Sequence, residues 1–210
     1  MADPQRYPIP AQRVRTEDVV DRSRFICTLA AADSPEAAHA LVRDVSAEFP
    51  DATHHCWAFV AGAPGSTGRI GMSDDGEPHG TAGRPMLTVL LHSGIGEVAA
   101  VVTRYYGGTK LGTGGLARAY SGAVQSALAA LTTREKVAYA PVSLTVSYAH
   151  FSAVQHLMPA FEAEVTGEVF AEEVTLHLRV PVELATALRA AIGNTTHGQA
   201  HFFDEGEPAA

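Results

Sequence analysis

The chain has 210 residues, 46% hydrophobic and 18% charged, a composition that excludes a disordered or fibrous protein and leaves one large globular domain or two small ones. Its formal net charge of -8 is uneven: residues 1–140 hold 13 Lys and Arg against 14 Asp and Glu, whereas the rest holds Arg179 and Arg189 against nine acids, 2 - 9 = -7. Binding to nucleic-acid phosphates rests on cations that displace condensed counterions, so any RNA contact falls to the first part of the chain.

Residues 1–6 (MADPQR) lack the basic then apolar stretch of a secretion signal, and no window approaches the roughly 20 apolar residues of a membrane span, which gives the expectation of a soluble, cytoplasmic protein. In chain order, residues 24–30 read as a strand, and Ser34 then caps a helix running to about Phe49. Ser34 supplies a capping oxygen, Pro35 suits the first helical position, and Glu36 suits the positive end of the dipole. Residues 55–60 read as a second strand and residues 61–71 (AGAPGSTGRIG) as an exposed loop. A short helix begins between Thr81 and Arg84, because Pro85 lacks an N–H and fits only a first turn. Residues 97–105 read as a strand, residues 107–113 as a glycine-rich loop, and residues 114–131 as a helix with one apolar face carrying Leu116, Tyr120, Val124 and Leu128.

The polar stretch TTREKVAYA at residues 132–140 marks an expected domain boundary, with domains at residues 1–135 and 136–204 and a disordered tail at 205–210. Beyond it, strand 142–147, helix 151–161, strands 164–170 and 174–180, helix 183–192 and strand 200–203 give the βαββαβ order of a ferredoxin-like domain. The expected fold is therefore a two-domain α+β or α/β protein. Cys27 and Cys56 sit in apolar strand runs, where a free thiol behaves as a small buried hydrophobe. His54, His55 and His201 lie in strand patterns, where packing or a neighbouring hydrogen bond is the usual fate.

Two stretches carry the chemistry: SDDGEPHGTAGRP at residues 73–85 and TRYYGGTKLGTGGLARAY at residues 103–120. Gly107, Gly108, Gly112, Gly114 and Gly115 allow close backbone approach, and the helix that follows presents free N–H groups to an anion. Arg104, Lys110 and Arg118 flank the loop. Lys110 precedes the glycines it should follow in a phosphate-binding P-loop, so that motif is excluded. GTGGLA at residues 112–117 matches a dinucleotide fingerprint in letters, but the loop before it is too long for the tight turn that motif needs. Asp74, Asp75, Glu77 and His79 could hold a hard cation or act as acid and base. The plainer alternative has the carboxylates capping backbone N–H groups or pairing with Arg84 and Arg104.

DDGEPHGTAGRP, VVTRYYGGTKLGTGGLARAYSGAV, SRFI at residues 23–26 and ATHHCWAF at residues 52–59 together closely resemble the signature of the IMPACT/YigZ family, over about residues 22–131. The resemblance implies a first domain with the βα architecture of the second domain of a small-subunit ribosomal protein. It also implies a second domain similar to one in translocating elongation factors. It implies a link to the control of translation, RNA or ribosome binding by fold analogy, and no established catalysis.

The expected function is that of a non-catalytic, translation-linked binding protein. Its partner would be RNA or a ribosome-associated protein, with no DNA, membrane or cofactor. The expected site comprises Asp74, Asp75, Glu77, Thr81, Arg84, Arg104, Lys110, Gly112, Gly114, Gly115 and Arg118, with an acidic wall at Asp74, Asp75 and Glu77 facing Arg104, Lys110 and Arg118. The rival is a metal-assisted enzyme acting on a small phosphorylated or carboxylated substrate.

Overall fold

The computed structural model describes residues 5–204; the expected tail at 205–210 lies outside them. The chain divides into two compact units, Met1–Lys136 and Val137–Ala210, and it is an α+β protein.

The first unit is built on an antiparallel five-stranded sheet. In sequence it runs β1 (Arg6–Pro10), β2 (Val14–Val20), β3 (Ser23–Ala31), α1 (Pro35–Glu48), β4 (His54–Val60), β5 (Ile70–Ser73), α2 (Gly83–His92), β6 (Val98–Tyr105), α3 (Gly112–Ala129) and β7 (Thr133–Val137). The sheet order is β2-β3-β6-β4-β5, and β1 pairs separately with β7. Successive residues of β6 point to opposite faces. Val98, Ala100 and Val102 pack with Met86 and Leu90 of α2 and Tyr120 and Val124 of α3, while Ala99 and Val101 pack with Ala38, Leu41 and Val45 of α1. This central strand is covered on both sides, so its sequence is a continuous apolar run and not an alternating one. Ser34 accepts a 3.2 Å bond from the Ala37 N–H and caps α1 as its sequence predicts.

Four strands of this unit carried no readable pattern. β2 is an edge strand whose outward residues are charged: Arg15 bonds both carboxylate oxygens of Glu48, and Arg24 of β3 bonds Glu17. Such charges blunt a sheet edge against unwanted pairing, and they also erase the apolar signal. The β2–β3 turn holds Asp21 and Arg22 at φ of 45° and 68°, the left-handed pair that two-residue hairpins prefer. β5 falls at the end of the stretch read as an exposed loop. Its Gly71 lies so close to β4 that a Cβ would stand 2.4 Å from the Phe59 ring, which explains glycine where a strand former is expected. β1 and β7 are short and polar, and β7 arises within the stretch read as a boundary.

The second unit runs β8 (Tyr139–Val146), α4 (Tyr148–Leu157), a 3-10 turn (Met158–Phe161), β9 (Glu164–Phe170), β10 (Val174–Pro181), α5 (Val182–Thr195) and β11 (His201–Phe203). Its sheet order β11-β8-β10-β9 is antiparallel throughout, the ferredoxin-like arrangement. The inward residues Val174, Leu176, Leu178 and Val180 of β10 meet Leu188 and Ile192 of α5 in a core of their own. The expected helix over 151–161 starts three residues earlier, at Tyr148, and its last turn tightens to 3-10 where Pro159 lacks the N–H that would continue it.

Candidate functional site

The two glycine-rich segments meet. Glu77 and Pro78 from the loop before α2, and Lys110, Leu111, Gly112, Thr113 and Leu116 from the loop entering α3, line a recess of about 470 Å³ with Arg104 and Tyr106 at its floor and lip. β6 delivers Arg104 as its penultimate residue, so the guanidinium stands on the best-covered strand of the sheet. α3 opens the recess from the other side. It starts at Gly112, two residues before its expected start, with φ of +67° there. Its first turn has no side-chain cap and no acidic residue, so its leading N–H groups and the positive end of its dipole remain for an anion.

Beneath the recess lies a buried polar chain. Arg104 and Glu77 have side chains only 6% and 4% exposed. Arg104 Nη1 and the Tyr120 hydroxyl both donate to Glu77 Oε1, the latter at 2.8 Å. Glu77 Oε2 takes neither bond. The guanidinium lies 5.4 Å from the Phe25 ring centroid and 5.6 Å from that of Tyr106, within cation–π range. Its Nη2 makes a long 3.4 Å bond to Ser23 Oγ, and its Nε is buried with no hydrogen-bond partner. Burial, with the Cys56 and Glu77 dipoles and charge nearby, pushes the Tyr120 hydroxyl far above its ordinary range, so Tyr120 remains a donor. Burial likewise raises Cys56 to about 12, keeping it a neutral thiol; Cys27, wholly enclosed, is also at about 12.

The acidic wall expected from Asp74, Asp75 and Glu77 does not form. Asp74 instead serves backbone. Oδ1 accepts from Ala82 N and Gly83 N at 3.0 and 2.8 Å, and Oδ2 accepts from Gly80 N at 2.8 Å, so it caps α2 from outside the helix. Burial acts to raise its pKa, but these three donors outweigh burial and hold it below the usual carboxylate range. Asp75, at φ of 40°, accepts from His55 N through Oδ2 at 2.6 Å and from His54 Nδ1 through its carbonyl, tying the loop to β4. The capping and pairing alternative thus describes Asp74 and Glu77, although Glu77 pairs with Arg104 and not with Arg84. Among the described residues, no three His, Cys, Asp or Glu side chains gather to hold a metal ion.

The other expected site residues separate. Lys110 and Gly112 line the recess together with Glu77 and Arg104, whereas Thr81, Arg84, Gly114, Gly115 and Arg118 are not among its lining residues. Thr81 donates at 2.6 Å to the Pro78 carbonyl inside its own turn. Arg84 and Arg118 are exposed on α2 and α3. Gly107 serves close approach, but to protein: a Cβ there would stand 2.0 Å from the Arg22 carbonyl carbon. The missed contributors are Pro78, Tyr106, Leu111, Thr113 and Leu116. Tyr106 carried a signal, being an aromatic residue next to paired glycines just past a strand end. Leu116 resembled any core position of α3.

A small α+β unit with a recess at an uncapped helix start, followed by a ferredoxin-like unit, defines the class. Residues 21–128 match the model of the Impact N-terminal domain, and residues 144–199 match a domain of unknown function. The chain is 43% identical over 194 residues to the IMPACT family member YigZ of Escherichia coli, covering 92% of this chain and 95% of that protein. An IMPACT family member of Haemophilus influenzae is 39% identical over 193 residues, at 92% and 94% coverage. A crystal structure described as that of a hypothetical protein superposes with a TM-score of 0.68 at 41% identity, covering 97% of this chain and 100% of that one. The chain belongs to the IMPACT family.

Proposed function

We propose that this chain is a non-catalytic, translation-linked binding protein whose first unit holds single-stranded RNA at the recess between its two glycine-rich segments. The observation that carries this reading is the combination at one opening of an aromatic surface and an anion site. Tyr106 is 48% exposed, and it shares the opening with Lys110 and the uncapped start of α3. Unpaired bases stack on such rings, while backbone phosphates seek cations and helix N-termini. The charge imbalance agrees, since -7 of the net charge of -8 lies beyond residue 140.

The test is the affinity of the full chain for a single-stranded RNA oligonucleotide across a salt series. The expected log–log slope is about -0.7 for each phosphate held, with weaker binding and a smaller slope in Lys110→Glu. A slope near zero, or no retention of any RNA, overturns the reading.

A further inference from the structure

The recess is closed on its protein side by Arg104, Glu77 and Leu116. It is a half-open depression of about 470 Å³, within the size range of sites that hold small organic ligands. A strand running across the surface would have to place one nucleotide inside and leave the rest outside. The walls divide by chemistry. Pro78, Leu111, Leu116 and the Tyr106 ring give an apolar, partly aromatic side, which suits a nucleobase. The start of α3 and Lys110 give an electropositive side, which suits a phosphate.

Two further groups belong to residues that line the recess. Arg104, 5% exposed, keeps a buried Nε–H with no acceptor, a donor whose desolvation no protein group offsets. Glu77 spends Oε1 on Arg104 and Tyr120 and leaves Oε2 out of both bonds; a carboxylate oxygen there can accept from the amino group of a base. The Glu77 charge is matched by Arg104, so the net positive potential of the recess comes from Lys110 and the helix start.

We infer that the recess is a pocket for one phosphorylated nucleotide, with the base against Tyr106 and the phosphate at the start of α3 beside Lys110. This inference rests on the RNA reading only for the source of that nucleotide, which is then the phosphorylated terminus of a strand. A terminal phosphate monoester carries more charge than an internal diester and can enter the recess end-on.

The experiment compares full-length protein with one RNA oligonucleotide bearing a 5′-phosphate, a 3′-phosphate or hydroxyls at both ends, and with free nucleoside monophosphates. The expected result is affinity about tenfold higher for one phosphorylated end than for the hydroxyl-ended strand. That preference disappears in Tyr106→Ala and Lys110→Glu, both at exposed positions and so compatible with an unchanged Tm. Equal binding of all three strands overturns the pocket while leaving RNA binding standing. Binding of a free nucleoside monophosphate that both variants abolish, with no strand bound, upholds the pocket and overturns the RNA reading. No binding of any probe overturns both.

Discussion

Asp74 shows how a residue with the look of an acid catalyst can be structural. Its three backbone donors are gathered from a turn and a helix start that no other side chain caps. Replacement by Asn keeps one acceptor but turns a second donor toward Gly80 N–H, and is expected to destabilise the first unit by about 1–3 kcal/mol near pH 7. The pH dependence has a definite sign. Because the folded pKa lies below the unfolded value of about 3.9, the carboxylate contributes fully above that pH, and its contribution fades as pH falls through the folded value. Wild type and Asp74→Asn, compared by urea unfolding, should therefore converge as pH drops below about 4. A gap that stays constant to pH 2 removes this explanation.

At the scale of elements, the glycines of the second segment divide into those the protein needs and those it does not. Gly107 is wedged against the backbone at Arg22, whereas a Cβ at Gly114 meets nothing. Gly107→Ala is expected to lower Tm steeply, because backbone must move to admit the methyl group. Gly114→Ala should raise it slightly, by an amount corresponding to about 0.5–1 kcal/mol of helix propensity. Thermal melts of the two variants beside wild type check both directions. The same contrast explains what the sequence could reveal. Elements with strong local cause were legible: Ser34 and Pro35 announce α1, and alternation in β10 announces a half-covered strand. Elements fixed by distant partners were not. β2 is shaped by Glu48 and Arg24, and β5 by the rings of β4. In the site, the meeting of the two segments followed from their glycines and charges, but the turning of Asp74 and Asp75 into backbone depended on Gly80, Ala82, Gly83 and His55, whose positions only the fold supplies.

At the scale of the whole molecule, two separate cores carry very different charge: -1 up to Ala140 and -7 beyond it. On the RNA reading proposed above, a polyanion would meet far less repulsion at the first unit than at the second. Affinity for RNA should then rise with strand length only until the surface of the first unit is covered, and level off beyond it. A length series of oligonucleotides at fixed salt measures this, and continued growth of affinity with length contradicts it. β6 adds a consequence for selectivity. It is covered on both faces, and it ends by setting Arg104 into the ion pair with Glu77, which holds the inner wall of the recess firmly in place. Tyr106 and Lys110 are exposed at the mouth, where side chains exchange rotamers freely. Such a cavity is strict about the shape of whatever reaches its bottom and lenient toward whatever trails from its entrance.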